Sequence, residues 1–231
     1  MDQSLKTLDV AYGSALSAQR QRVLRNTYAL LALSMVPTVL GAWLGVQMGF
    51  SFFAGSPLIG MLVFMGVAFG FFFAIEKFKN SGVGVLLLLG FTFFMGLMLS
   101  RLIGAILGFS NGAQLIATAF GGTALVFAGM ATLASTMKRD LAGLGKWLMI
   151  GVVVLMVAAV ANIFLKMPAL MLTISALGVV IFSAFILYDL KRIIDGGETN
   201  YVTATLSVYL SVYNVFTSLL QLLGVLGGND D

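Results

Sequence analysis

A bundle of seven transmembrane helices, all-α and embedded in lipid, is the fold this sequence predicts, and three observations predict it. Of 231 residues, 60% are hydrophobic and 10% are charged, where soluble domains run near half apolar and a quarter charged. Several uncharged apolar runs each reach about 20 residues, the length that crosses a bilayer. The basic residues stand in short groups between those runs rather than along one face.

Residues 1–25 are polar, with Asp2, Lys6, Asp9, Arg20, Arg22 and Arg25. They lack the short apolar core and small-residue cleavage site of a secretory signal, so they read as a retained cytoplasmic tail. The first apolar run covers 26–48 and holds Pro37, which removes one backbone donor and crowds the preceding turn, so a kink is expected there. Six more runs follow at 57–75, 82–101, 113–137, 145–165, 168–188 and 202–226. Pro57 and Pro168 open their helices, where a missing N–H costs little. The chain thus divides into a tail (1–25), a seven-helix transmembrane domain (26–228) and a short acidic C-terminus (229–231).

The lysines and arginines set the orientation. Lys6, Arg20, Arg22 and Arg25 lie in the tail, Lys77 and Lys79 between the second and third runs, Lys138, Arg139 and Lys146 between the fourth and fifth, and Lys191 and Arg192 between the sixth and seventh. The opposite side has only Arg101 and Lys166, and the chain ends in Asp230 and Asp231. The positive-inside rule then places the N-terminus in the cytoplasm and the C-terminus in the periplasm. A net charge of +4 distributed this way is topological and implies no nucleic-acid partner.

The chain has no Cys and no His. Thiol and imidazole chemistry, disulfides and the usual zinc sites are therefore absent; carboxylate-only or Ser–Lys chemistry stays formally open, but neither catalysis nor a cofactor is expected. A retinal Schiff base is disfavoured because the last run carries no lysine.

Close packing is expected at the small-residue pairs Gly41/Gly45, Gly66/Gly70 and Gly104/Gly108, since small side chains let helix backbones approach in lipid. In the fourth helix Gly121, Ala124, Ala128, Ala131 and Ser135 fall on one face, which is expected to press against a neighbour. The last helix carries Ser207, Ser211, Asn214, Ser218 and Gln221 at steps of four and three, a polar stripe that must face inward. Bonding between helices and the lining of a wet cavity both stay open for it. Asn162 in the fifth helix is a similar, more structural case.

Asp189 extends the sixth run at its cytoplasmic end. Arg192 lies three residues on, so a helix-end ion pair competes with an ion or proton site. Asp195 and Glu198 flank Gly196 and Gly197 in a turn that reads as solvated, although its acids could attract a cation.

The segments 181–189 (IFSAFILYD), 196–201 (GGETNY) and 207–216 (SVYLSVYNVF) resemble the last two helices of the Bax inhibitor family. Three further strings, 23–28 (VLRNTY), 121–127 (GGTALVF) and 160–165 (VANIFL), are similar to one bacterial branch of it, so the likeness extends over nearly the whole chain. The family resemblance implies seven helices and, for some members, a pH-sensitive calcium leak gated by aspartates on the last two helices. Asp189 matches the first aspartate. The second position falls at Ser211, which cannot share a proton as a carboxylate does. The two-carboxylate latch is incomplete here, which counts against family-type pH gating, while Asp189 alone still offers a ligand to calcium or another cation.

The branch resemblance implies a different role, that of an inner-membrane modulator and slow substrate of an FtsH-type ATP-dependent membrane protease. A flexible, sparsely charged tail over residues 1–21 is the kind of segment an unfolding protease can seize, and a stable bundle behind it would resist extraction.

Overall fold

The computed structural model describes residues 2–50 and 57–227, with side chains at 16–50 and 59–227. The acidic C-terminus expected at 229–231 lies outside the described residues. Seven α-helices follow one another: α1 (Asp2–Gln47), α2 (Pro57–Phe78), α3 (Gly82–Leu107), α4 (Gly112–Thr136), α5 (Leu144–Leu165), α6 (Pro168–Ile194) and α7 (Tyr201–Gly227). All seven are long and apolar enough to cross a bilayer, and the described residues contain no strand.

Pro57 and Pro168 open α2 and α6 as expected, and α1 runs on through Pro37. Three boundaries differ from expectation by six residues or more; one is the end of α3, which continues past the expected Arg101 to Leu107. Instead of a flexible tail followed by a span, α1 is helical from Asp2 onward; residues 2–25 hold good helix formers and no proline, so nothing in them breaks the helix that the apolar run propagates. At the other end, α6 continues six residues past the expected Tyr188 to Ile194, which places Asp189, Lys191 and Arg192 on helix rather than in a connection.

The bundle is arranged around α7, which packs against α1, α3, α4 and α6 and touches α2. No residue of α7 from 201 to 224 is exposed. By contrast α5 packs mainly on α6 among the described residues, and its Val153, Val154, Met156 and Val157 point outward. Side chains such as Leu125 (76% exposed), Phe73 (72%) and Leu86 (70%) would be a liability in water and are ordinary where lipid is the solvent. Trp147 near the basic end and Trp43 near the other end are both exposed, as interfacial anchors are.

The glycine pairs separate by location. A Cβ on Gly41 would strike the carbonyl of Phe93, and one on Gly96 would strike the carbonyl of Thr38, so α1 and α3 meet backbone to backbone. Gly45 rests on the side chain of Ser100 in the same interface. Gly66 and Gly70 have nothing within 4 Å, and Gly104 only touches Val46; these two pairs do not perform the packing expected of them. The α4 stripe is also corrected: Gly121, Ala124, Ala128 and Ser135 are exposed and Ala131 is half-buried. The face that packs carries Leu115, Ala119, Thr123 and Ala134 instead. Residue size says how closely a neighbour could approach and not on which side one stands.

α2 holds to α3 through rings. Phe71 and Phe72 lie 5.6 and 5.3 Å from Phe91, and Phe64 stacks 5.8 Å from Phe94, spacings at which aromatic pairs attract beyond simple burial.

The basic groups share one end of the bundle. Asn200, between α6 and α7, donates to the carbonyl of Lys79 and to Asn80, 3.1 and 2.8 Å away, and the Arg20 side chain of α1 lies against Gly196. Gly196 has φ +85°, a left-handed conformation natural to glycine, and a Cβ there would also meet the Arg20 guanidinium. At the opposite end the Asn111 amide donates to the carbonyl of Gly227 at 2.9 Å.

Candidate functional site

The polar stripe of α7 faces inward as expected and is turned toward α6. Ser175 donates to Gln221 at 2.8 Å, Ser218 sits over Gly178, and Ser211 donates to Asp189 at 3.3 Å. Ser218 and Ser211 are buried, as is Asp189 at 9% exposure. Gly178 matters here because its missing side chain admits the Ser218 hydroxyl.

Around Asp189 the structure gathers Ser211, Ser207, Arg192 and Glu198, with Ala204 and Ile193 as apolar wall, about a cavity of about 10 Å³. A space of that size admits about one water. Of the two readings open for Asp189, the helix-end ion pair with Arg192 does not form. Arg192 reaches past Asp189 to Glu198 at 3.5 Å and to the carbonyl of Gly197 at 3.3 Å, while Lys191 pairs with Asp195 at 2.7 Å. Extension of α6 to Ile194 explains this, because the sharp turn after it brings the acids of the connection back to the bases of the last helical turn. Glu198 is therefore not a solvated turn residue: it also accepts the N–H groups of Thr199 and Asn200, 2.9 and 3.0 Å away.

Among the described residues Asp189 has one hydrogen-bond donor, and a weak one. The contact from Ser211 exceeds the usual O–H···O distance, and the same hydroxyl also reaches the Ser207 carbonyl at 3.1 Å. One proton cannot serve both acceptors fully. Burying a carboxylate so poorly partnered costs several kcal/mol. Asp189→Leu is accordingly expected to stabilise the bundle by about 1–3 kcal/mol, seen as a higher thermal midpoint of the detergent-purified protein. A lower midpoint would make Asp189 a structural keystone.

Two of the other expected site residues lie elsewhere. Asn214 turns back on its own helix and donates to the Leu210 carbonyl at 2.7 Å. Asn162 closes α5: its side-chain oxygen accepts the N–H of Met167 at 2.9 Å, and its carbonyl accepts the N–H of Lys166, whose φ of 51° is left-handed. The described residues contain no group of three or more acids placed to hold a metal ion.

A second buried polar layer was missed by the sequence reading. On the opposite face of α7, the hydroxyls of Tyr209 and Thr38 meet at 2.8 Å, Thr38 also donates to the Ser34 carbonyl at 2.8 Å, and the Tyr213 hydroxyl donates to the Met95 carbonyl at 3.2 Å. Thr205 is directed at the Thr27 carbonyl at 3.4 Å. The signal was present, since Thr205, Tyr209 and Tyr213 recur every four residues; tyrosines in an apolar run pass as bulk.

Seven apolar helices centred on the last, with the Asp189 carboxylate buried between the final two, define a multi-pass membrane protein whose distinctive chemistry is concentrated at the α6–α7 seam. The chain belongs to the family described as inhibitor of apoptosis-promoting Bax1, whose model matches residues 20–228. It is 42% identical over 225 residues to an uncharacterized protein of Neisseria meningitidis serogroup A, covering 96% of this chain and 99% of that one. It is 40% identical over 203 residues to the Escherichia coli K12 protein named modulator of FtsH protease YccA, covering 88% of this chain and 90% of that one. The same identity and coverage hold for an Escherichia coli O6:H1 protein named inner membrane protein YccA. The chain is a multi-pass protein of the inner membrane.

Proposed function

We propose that this chain modulates an FtsH-type ATP-dependent membrane protease, without catalysis of its own, by occupying it as a slowly processed substrate held through the N-terminal segment. The observation that carries this reading is the 40% identity to a relative named modulator of FtsH protease, over 90% of that relative's length. The basic end of the bundle, where eleven of the thirteen lysines and arginines fall, is placed in the cytoplasm by the positive-inside rule.

Structure supports the slow step. A protease pulling on the N-terminus loads α1 first, and α1 is the helix seated backbone to backbone on α3 through Gly41 and Gly96 and pinned to α7 by the Thr38–Tyr209 contact. Extracting it breaks all of these together, and interior packing yields in discrete steps rather than gradually. The alternative reading, a calcium or other cation leak at Asp189, finds there one carboxylate, one long serine contact and a cavity of about 10 Å³, which does not favour it.

Removal of residues 2–15, which precede the apolar span Leu16–Gln47, tests the proposal. The truncated protein is expected to escape degradation by the protease and to lose its slowing of a second membrane substrate, both followed by pulse-chase. Unchanged slowing by the truncated chain would refute engagement through this segment.

A further inference from the structure

The basic end holds a second feature that the α6–α7 seam does not involve. A groove with a volume of about 540 Å³ opens between α1 and the start of α7, lined by Gln19, Arg22, Val23 and Asn26 on one wall and Thr199 and Tyr201 on the other. Its size falls within the range of sites that take a small ligand or headgroup.

The polar groups of this lining can all donate hydrogen bonds: a guanidinium, two carboxamides and two hydroxyls. No carboxylate is among them. The acids nearby in sequence are committed elsewhere, Asp195 to Lys191 and Glu198 to Arg192 together with the backbone of Thr199 and Asn200. Among the described residues, no carboxylate lies within ion-pair distance of Arg20, Arg22 or Arg25. Among the described residues the groove thus sets a guanidinium and several donors together with no carboxylate facing them, the arrangement that receives a phosphate.

Depth selects the source of that phosphate. Arg22 and Asn26 stand where the polar start of α1 gives way to its uncharged run, and Tyr201 is the first residue of α7. Arg22 and Asn26 lie inside the apolar span Leu16–Gln47, near its polar end, which puts the groove at the membrane boundary rather than in bulk water, and buried Val23 gives its lining an apolar part. We propose that this groove binds the phosphate of an anionic phospholipid, with Arg22 as the principal ligand and Asn26, Thr199 and Tyr201 as additional donors.

The test uses the full-length protein in nanodiscs of phosphatidylcholine with increasing phosphatidylglycerol, reading lipid-dependent thermal stabilisation and its half-saturating lipid fraction. Arg22→Gln is expected to weaken the response about ten-fold, the loss of one charge-assisted phosphate contact. Asn26→Ala should weaken it less. Arg25→Gln, an exposed residue of the same helix outside the groove, makes the same change in net charge and is expected to stay within about two-fold of the parent. Equal responses of the Arg22 and Arg25 variants would overturn the site in favour of diffuse surface charge. Full stabilisation by inorganic phosphate in detergent, without lipid, would overturn the lipid as its ligand.

Discussion

Tyr209→Ala is expected to destabilise the bundle by about 3–5 kcal/mol, the range for deleting a large buried ring, measured as the loss of unfolding free energy in mixed micelles. Tyr209 is fully buried on the central helix. Its ring stands edge-on to Phe91 at 6.4 Å and lies 6.1 Å from Tyr213, so it joins α7 to α3 while its hydroxyl joins α7 to Thr38 of α1. Packing outweighs the hydrogen bond here. Interhelical hydrogen bonds in membranes average about 0.6 kcal/mol and reach about 1.7, and Thr38 keeps its own acceptor, the Ser34 carbonyl, when the phenol is removed. Tyr209→Phe should therefore cost roughly 1 kcal/mol. A phenylalanine variant as unstable as the alanine one would reverse that ranking.

The next largest effect is expected at Gly96. Its Cα faces the carbonyl of Thr38 and the N–H of Ala42 in α1, and helix backbone cannot rotate aside as a side chain does. Gly96→Leu should force α1 from α3 at about 3 kcal/mol, the upper end of overpacking costs, and reduce the folded yield from membranes. Gly66→Ala provides the contrast. Nothing lies within 4 Å of a Cβ there, so the change should fall within about 0.5 kcal/mol of neutral. If both glycines tolerate substitution equally, the close α1–α3 seam is not what holds the first helix. On the functional reading, Gly96→Leu should also hasten processing by the protease, because α1 is the helix it pulls.

The candidate site was legible in part. Asp189 and Ser211 were singled out from sequence, and the structure brings them to 3.3 Å. The partners of Arg192 were not legible, because ion pairing was judged by distance along a helix whereas Glu198 reaches it from beyond a turn. The donor-lined groove could not be read at all, since Arg22 and Tyr201 are far apart in the chain and meet only through the packing of α1 beside α7.

Composition and periodicity by themselves determined that this is a seven-helix membrane protein, where the helices begin at proline, and that the α7 stripe turns inward. Those outcomes follow from transfer between water and lipid, and each residue contributes to that transfer almost independently of its neighbours. Tertiary structure alone decided which small residues pack and which face lipid, so that Gly41 and Gly96 are buried against backbone while Gly66 and Ala124 look outward. Within a bilayer the tails are as apolar as the side chains, hydrophobicity no longer distinguishes one helix face from another, and only the shape and hydrogen bonds of the assembled neighbours do.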